Sequence, residues 1–264
     1  MRSPAPTVGE MIRDWRLRRR MTQMDLALEA EISTRHLSFL ETGRRAPSRE
    51  MVLRLAEQLD APLRARNAML LAAGFAPAFA ENALSAPQMD AVRSVVERLL
   101  TAHEPFPALA MDGRWNLVAA NAAMTLLLTG VDEVLLRPPV NVARLALSPQ
   151  GLAPRIENLG QWRSHLLERL TRQAEASDDD ALADLAAELA GLPGPSEAPR
   201  PAGAGDLVAI PLRLRSEAGL LTFWSASLAF GGPQEVTVSE LTLETFLPAD
   251  AETAERMARL RTGG

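Results

Sequence analysis

The sequence contains no cysteine. That absence excludes disulfides, thiolate metal sites and thiol nucleophiles together. No apolar run reaches the ~18 residues that a membrane-spanning helix needs, so we expect no membrane partner. The N-terminal sequence MRSPAPTVGEMIRDW also lacks the apolar stretch of a secretory signal. These absences predict a cytoplasmic protein.

Signatures of catalysis are missing as well. The chain has no G-x-S-x-G elbow, no H-E-x-x-H motif, no phosphate-binding P-loop and no glycine fingerprint for dinucleotides. His36, His103 and His165 are too scattered to suggest a metal site. The acidic run 178–180 lacks the alternation and glycine of a calcium loop, which favours a solvated helix start instead. We therefore predict a protein that is not an enzyme and has neither cofactor nor metal.

Charge is divided unevenly along the chain. Lysine is absent, so every cationic side chain is an arginine, the group that best matches phosphate and guanine edges. Residues 1–75 carry 13 Arg and 9 acidic residues, a charge of +4, whereas the remainder carries 15 Arg and 24 acidic residues, a charge of −9. Because local potential steers partners, the net charge of −5 does not exclude nucleic-acid binding by the N-terminal part.

The length of 264 residues predicts two domains. We expect a helical domain over 1–75, a linker over 76–87 and a second domain over 88–264. The periodicity of apolar residues and the helix stop signals predict five N-terminal helices, at about Val8–Arg19, Gln23–Ala30, Thr34–Thr42, Ser48–Leu59 and Leu63–Ala73.

The segment Gln23–Gly43 has the spacing of a helix-turn-helix. Thr22 and Asp25 form a T-x-x-D capping box that fixes the start of its first helix, and Ser33 can cap the second. Ala27 is small where two helices cross closely. The apolar positions for a small core are Leu26, Ile32, Leu37 and Leu40. In this motif the second helix enters the major groove of double-stranded DNA with its N-terminal face.

The residues of that face are the predicted contacts. Arg35 is the best base reader, since a guanidinium can donate to O6 and N7 of guanine together. Gln23 is placed for a phosphate contact, and Arg44 and Arg45 could clamp a flanking phosphate. Glu41 is predicted to be structural, pairing with an arginine or backbone donors. The predicted DNA-binding residues are Gln23, Ser33, Thr34, Arg35, Ser38, Phe39, Arg44 and Arg45.

A run of arginines lies at the C-terminal end of the first predicted helix, and DNA contact is not its most common role. Basic runs of this kind are most often a solvated helix face. The run comprises Arg16, Arg18, Arg19 and Arg20.

The C-terminal part predicts strands and helices together. The segment PALAMDGRWNLVAAN indicates a hairpin around an Asp112-Gly113 turn. Five strands with helices inserted after the second predict an α+β domain with an antiparallel sheet. The predicted strands after the hairpin are Leu207–Arg215, Gly219–Phe230 and Glu240–Phe246. The predicted helices are Pro87–His103, Asn121–Leu128, Leu159–Ala176, Asp180–Leu192 and Ala251–Leu260, with a mobile loop at Pro193–Gly205.

Residues 8–60 resemble the Cro/Xre-type helix-turn-helix family. The stretches ISTRHLSFLETGRRAPSREMVLRLAEQLDAPLRARNAMLLAAGFAP, FPALAMDGRWNLVAAN, Ile210–Arg215 and GGPQEVTVSELTLETFLPAD are similar to the branch with a C-terminal MmyB-like ligand-binding domain. Glu31 departs from the family, which usually has glycine at this turn position. The resemblance implies a PAS-like fold with an apolar pocket and a small, fatty-acid-like ligand.

Candidate ligand contacts come from two groups of residues. Tryptophans of the second domain could line a pocket, although aromatic residues on strands more often fill a core. Polar side chains could orient a ligand head group, although each alone is more commonly a satisfied structural group. The predicted ligand-binding residues are Trp115, Asn121, Arg155, Trp162, His165 and Trp224.

Together these patterns predict a sequence-specific transcription regulator, nucleoid-associated when bound to DNA and modulated by a small apolar ligand. One helix-turn-helix per chain predicts a homodimer on a two-fold operator. Two alternatives stay open. The C-terminal domain could serve dimerisation or protein binding without a ligand, or it could be a DNA-tethered enzyme.

Overall fold

The computed structural model describes residues 6–195 and 210–262. The described chain forms two compact units, one made mainly of residues up to Glu81 and the other mainly of residues from Asn82 onward. The change from one unit to the other lies within the segment 76–87, which the sequence indicates as a linker. The start of that segment is attached to the first unit, because the Asn67 side chain bonds the backbone of Ala78 and Phe79.

In the described residues, the first unit is built from five helices, four of which begin at a polar side-chain cap, whereas the fifth follows Pro62 without one. Thr7, Thr22, Ser33 and Ser48 each accept a hydrogen bond from a backbone N–H in the first turn that follows. Thr22 and Asp25 complete the predicted capping box, and the hydrogen bonds from Thr22 lower the pKa of Asp25. The helices are α1 (Val8–Arg18), α2 (Gln23–Glu29), α3 (Thr34–Glu41), α4 (Arg49–Gln58) and α5 (Leu63–Ala72). These bounds agree with the predicted ones to within one residue at each end.

A close helix crossing fixes α1 against α3. A Cβ atom on Gly9 would lie 2.4 Å from the backbone oxygen of Leu40, so only glycine permits this approach. Ile12 and Trp15 of α1 are buried with Leu37 and Leu40 of α3 in the core of the unit. This packing holds α3, the second helix of the predicted motif, at a fixed angle.

The turn between α2 and α3 contains backbone strain. Glu31 has a φ of 55°, in the left-handed region that costs a residue other than glycine roughly 1–2 kcal/mol. Glu31, which stands where the family usually has glycine, therefore adopts a backbone conformation that favours glycine. The turn still closes, because the N–H of Ile32 donates to the carbonyl of Ala27 at 2.9 Å.

The second unit contains a five-stranded antiparallel sheet with the strand order β2-β1-β5-β4-β3. This confirms the predicted α+β class with an antiparallel sheet. The strands are β1 (Ala108–Met111), β2 (Leu117–Ala120), β3 (Leu212–Ser216), β4 (Gly219–Ala229) and β5 (Thr242–Pro248).

The predicted hairpin around Asp112-Gly113 is confirmed, since β1 pairs antiparallel with β2. The Asp112 carboxylate holds the connection by accepting from the backbone N–H groups of Arg114 and Asn116. Two predicted strand starts are wrong. The last strand begins at Thr242 rather than Glu240, since a short helix precedes it. The third strand begins at Leu212, and the residues before 210 lie outside the described chain.

Helices flank the sheet. They are α6 (Asp90–Ala102), α7 (Ala122–Leu127), α8 (Val142–Leu147), α9 (Leu159–Ser177), α10 (Asp180–Ala190), α11 (Val236–Glu240) and α12 (Ala251–Thr262). The predictions omit α8 and α11, which are too short for a helical period to show. The predicted loop at Pro193–Gly205 lies outside the described residues from 196 onward.

The sheet has two differently covered faces. Leu109, Phe223 and Phe246 lie on one face in the main core of the unit, together with residues of α9. Ala108 and Leu243 lie on the other face and pack in a second cluster with residues of α6. The alternation of side chains along each strand thus sets which residues face the main core.

Candidate nucleic-acid interface and ligand cavity

The N-terminal turn of α3 presents polar side chains to solvent. Ser33 caps the helix by accepting a hydrogen bond from the N–H of His36 at 3.1 Å. This cap leaves Thr34 and Arg35 exposed at the first turn, with Ser38 half-buried one turn later. The hydroxyl of Ser33 is thus used by the helix itself, although its own hydrogen can still be donated.

An aromatic ring supports two arginines of this surface. The guanidinium of Arg35 lies 5.4 Å from the ring centre of Phe39, and that of Arg44 lies 6.0 Å from it. Cation–π contact of this kind limits the freedom of both guanidinium groups. Phe39 is half-buried, so it serves as a platform for Arg35 and Arg44.

A tight C-terminal turn places the trailing arginines beside this platform. Gly43 has a φ of 69°, and the N–H of Arg45 returns to the carbonyl of Phe39 at 3.2 Å. Among the described residues, Arg35, Arg44 and Arg45 make no ion pair with a carboxylate. Arg44 and Arg45 are exposed, so their charge is available to a polyanion.

A buried network lies behind this surface. Arg16 binds Glu41 through two bonds, Nε to Oε1 at 2.7 Å and Nη2 to Oε2 at 3.0 Å. Gln23 donates from Nε2 to Oε2 of Glu41 at 2.7 Å. The predicted structural role of Glu41 is confirmed. Of the arginine run, Arg16 is a core residue rather than part of a solvated face.

The network defines what Gln23 can offer to DNA. One hydrogen of its amide is bound to Glu41, and the second remains for another acceptor. The bond to Glu41 also orients the amide at the start of α2. The phosphate contact through Gln23 stays a prediction, and its donor would be the second N–H of the Gln23 amide.

The second unit contains an apolar cavity between the main-core face of the sheet and its helices. The cavity volume is about 70 Å³. Since a single water needs about 10–15 Å³ by the same kind of measure, this space is several times that of one water. Its wall contains Leu109, Met111, Trp115, Met124, Leu127, Leu128, Val142, Leu145, Ala146, Leu152, Ile156, Trp162, Leu166, Leu212, Leu214 and Phe246, with Arg169 and Glu244 as the charged members.

The two charged residues form a pair in this wall. Nη2 of Arg169 donates to Oε2 of Glu244 at 2.8 Å, and the hydroxyl of Ser227 donates to the same oxygen at 2.8 Å. The guanidinium of Arg169 lies 4.9 Å from the ring centre of Trp115. The indole N–H of Trp115 donates to Oε1 of Gln173 at 2.8 Å, which fixes the ring.

Only part of the predicted ligand set lies in this wall. Trp115 and Trp162 line the cavity. Asn121 instead caps α7 and binds the backbone N–H of Ala108. Trp224 lies on the opposite face of the sheet, next to Leu247 on the neighbouring strand, and is 38% exposed.

The two remaining predicted residues are also outside the cavity wall. Arg155 binds the carbonyls of Leu127 and Thr129, and burial lowers its pKa. It lines a separate, more open pocket. His165 lies against the ring of Trp162 with ring centres 5.5 Å apart, and burial followed by the charge of Arg169 lowers its pKa.

Sequence reasoning missed the charged pair of the cavity. One signal was present. Glu244 and Phe246 lie two residues apart on β5, so both side chains point to the core-facing side of the strand, where an apolar residue is expected. Its partner could not be found in this way, because Arg169 lies 75 residues earlier in the chain.

Comparisons with known families agree with both sites. A model described as Helix-turn-helix matches residues 12–65, and one described as MmyB-like transcription regulator ligand binding domain matches residues 92–260. Both are domains of transcription regulators, and neither is catalytic. Among curated proteins, none matches the chain. None of the described helices combines the length and the hydropathy that a membrane-spanning segment needs.

The second of these matches spans more than half of the chain. The chain therefore belongs to the MmyB-like transcription regulators, with an N-terminal Cro/Xre-type helix-turn-helix that binds DNA and a C-terminal ligand-binding domain.

Proposed function

We propose that this regulator reads its operator through the surface formed by Thr34, Arg35, Ser38 and Phe39, and that a small apolar ligand in the cavity modulates this reading. One observation carries the first part. The Arg35 guanidinium is exposed at the N-terminal turn of α3, is supported by the Phe39 ring and has no carboxylate partner among the described residues.

Base reading falls to Arg35. Its guanidinium can donate to O6 and N7 of one guanine, a contact worth ~1–3 kcal/mol of discrimination. Thr34 and Ser38 lie on the same surface and can bond base edges or phosphate. Arg35 has no carboxylate partner among the described residues. Base reading by Arg35 therefore requires no ion pair to be broken on binding.

Phosphate contacts set the register on the duplex. Arg44 and Arg45 follow the tight turn after α3 and supply charge beside the reading surface. Gln23 supplies the second hydrogen of its amide at the start of α2, where backbone N–H groups and the helix dipole also favour an anion. These contacts strengthen binding to all sequences alike.

Two copies of the chain would place two recognition helices on one face of the DNA. A two-fold operator presents its half-sites one helical turn, about 34 Å, apart. The chain has one helix-turn-helix and a small footprint, which supports a homodimer as the binding form.

The ligand acts by binding two arrangements of the dimer unequally, since a ligand with equal affinity for both would shift nothing. The cavity supports a compact apolar ligand. A long fatty-acid-like chain would need more room than the cavity volume of about 70 Å³, and would require the leucine and methionine side chains of the wall to move apart.

A second candidate function is a DNA-binding adaptor whose C-terminal unit contacts protein without a ligand. The exposed side chains of Trp224, Leu228 and Leu247, on the face of β4 and β5 opposite the main core, favour it. Native mass spectrometry of freshly purified protein separates the two functions. A retained small molecule supports ligand sensing, and a ligand-free dimer supports the adaptor.

The DNA-reading surface is tested with the full chain and an operator selected from random duplexes. We expect Arg35→Ala to lose about 5- to 150-fold in operator affinity, which corresponds to ~1–3 kcal/mol. Arg98→Ala, an exposed arginine on α6, is the matched control and should bind as the wild type does. If the two variants bind the operator equally well, α3 is not the reading helix.

A further inference from the structure

A second and larger pocket of the C-terminal unit lies apart from the apolar cavity. Three arginines, Arg155, Arg215 and Arg259, line it, and we refer to it as the arginine pocket. Its volume is about 960 Å³, against about 70 Å³ for the cavity, and it is open to solvent. Of the described residues, Leu127 alone lines both. The arginine pocket is therefore a space of its own, with room for a small organic molecule.

The lining of the arginine pocket is cationic, although the unit that contains it is acidic. Its three arginines lie with one lining carboxylate, that of Glu217, which gives a formal charge of +2. Residues 76–264 as a whole carry a charge of −9. Because local potential rather than net charge steers a ligand, a positive recess in an acidic unit favours an anion.

Arg155 is fixed in this lining with one donor group to spare. Its Nε donates to the carbonyl of Arg215 at 3.0 Å, and its Nη1 to those of Leu127 at 2.8 Å and Thr129 at 3.0 Å. Among the described residues Nη2 has no hydrogen-bond partner, and it is not buried, so a ligand can reach it. Burial lowers the pKa of Arg155, and the charge of Glu217 acts in the opposite direction. An anion beside Nη2 would stabilise the cation further.

Arg215 supplies a second guanidinium that is only weakly paired. Its Nε lies 3.7 Å from Oε2 of Glu157, too far for a hydrogen bond, and its side chain is 64% exposed. The carboxylate of Glu157 is closer to another arginine, since its Oε1 lies 2.5 Å from Nη2 of Arg213. Within the part of the chain that the structure describes, the Arg215 guanidinium makes no hydrogen bond. Its donors are therefore available to an anion.

The charge and the surface of the lining indicate the kind of anion. A lining charge of +2 matches a doubly charged group better than a singly charged one. A phosphate monoester carries about −1.5 to −2 at neutral pH, and its three terminal oxygens can accept from two guanidinium groups at once. Leu126, Leu127 and Leu260 supply apolar surface beside the arginines, which suits the organic part of such a molecule.

We propose that the arginine pocket is a second ligand site, which binds a small organic phosphate monoester through Arg155 and Arg215. The phosphate contacts the guanidinium groups, and the organic part lies against the leucines of the lining. This site does not depend on the function proposed for the apolar cavity, because the two have separate linings.

Three probes test the ligand class on the full chain. Phenyl phosphate, inorganic phosphate and benzoate are titrated by isothermal titration calorimetry at neutral pH and low ionic strength. We expect phenyl phosphate to bind at least about tenfold more tightly than benzoate, which carries a single charge. We also expect it to bind at least about threefold more tightly than inorganic phosphate, which has no apolar part to bury.

Two substitutions of opposite sign locate the binding. Arg215→Gln should weaken phenyl phosphate by about fivefold, and Glu217→Gln should strengthen it by about threefold because a repelling charge is removed. Both side chains are exposed, so we expect both variants to fold. Arg114→Gln is the matched control, since Arg114 is similarly exposed and pairs with one carboxylate, that of Asp179, but does not line the pocket. It should bind phenyl phosphate as the wild type does.

Each contrary result overturns a stated part of the inference. Absence of saturable phenyl phosphate binding by the wild type would overturn the site. Binding that survives Arg215→Gln unchanged, or that weakens equally in Arg114→Gln, would place the probe elsewhere, such as on the exposed arginines of the first unit, and would also overturn it. Benzoate binding as tight as that of phenyl phosphate would overturn the phosphate class. None of these results bears on the apolar cavity, which native mass spectrometry tests.

Discussion

Two arginine–glutamate pairs with a buried carboxylate, one in each unit, differ in the number of hydrogen bonds that hold them. Arg16 and Glu41 share two hydrogen bonds, and Gln23 and the carbonyl of Met21 bind the pair further. Arg169 and Glu244 share one hydrogen bond in the wall of the apolar cavity. The first pair is held by several hydrogen bonds within the helical unit, whereas the two members of the second pair share a single bond with each other.

The arginines of the DNA-reading surface extend this comparison. Arg35 and Arg44 contact the ring of Phe39 and have no carboxylate partner among the described residues. The same side-chain type thus occurs in three settings, as a saturated pair, a partly satisfied pair and an unpaired cation. The number of unused donors increases in that order.

The largest expected effect comes from removing the carboxylate of the saturated pair. Glu41→Ala leaves Arg16 buried without its partner and should reduce the free energy of unfolding by about 3–5 kcal/mol. Chemical denaturation of the full chain, followed by circular dichroism, measures it. The exposed pair of Arg144 and Glu188 provides the control, because Glu188→Ala should cost no more than about 1 kcal/mol. Equal losses in the two variants would contradict the structural role of Glu41.

A smaller loss is expected at the pair in the cavity wall. Glu244→Gln removes a charged acceptor that holds two hydrogen bonds, and we expect a loss of about 1–2 kcal/mol in the free energy of unfolding. The same denaturation experiment applies. A loss as large as that of Glu41→Ala would show that the two pairs do not differ as described.

Glu31→Gly separates backbone strain from side-chain pairing. Because Glu31 has a φ of 55°, glycine should remove strain and raise the free energy of unfolding by about 1 kcal/mol. Glu57→Gly, inside α4, should instead lower it by about 1 kcal/mol, since glycine is unfavourable in a helix. Thermal denaturation of both variants compares them. Destabilisation by both substitutions would argue against strain at the α2–α3 turn.

Arg44→Ala should have little effect on stability, because Arg44 is exposed. Loss of one phosphate contact should weaken binding to operator and unrelated duplexes alike, and reduce the slope of log affinity against log salt by about 0.9. Fluorescence anisotropy at several salt concentrations gives the slope. A loss confined to the operator would instead make Arg44 a base-reading residue.

Local signals in the sequence were sufficient for the first unit. The helix caps Thr7, Thr22, Ser33 and Ser48 act within one turn, so the helix bounds could be predicted closely. A partner for Glu41 could be predicted by type, but the choice of Arg16 depends on the packing of α1 against α3. Element boundaries were less certain in the second unit, where α8 and α11 are short.

The cavity shows where local signals end. Trp115 and Trp162 were predicted because large aromatic side chains are visible in any sequence. Arg169 and Glu244 were not, since their meeting depends on how α9 packs on the sheet. Trp224 was predicted to contact the ligand but lies away from the cavity. Side chains alternate between the two faces of β4, and Phe223 is the one that faces the main core.

The reading role of Arg35 is tested most directly by a double-mutant cycle between the protein and its operator. The affinities of the wild type and Arg35→Ala are measured on the selected operator and on the same duplex with the proposed guanine replaced. We expect the base change to cost the wild type ~1–3 kcal/mol and to cost Arg35→Ala almost nothing, because the contact is already lost. Equal costs in both proteins, at every guanine of the half-site, would contradict the assignment of Arg35 as the base reader.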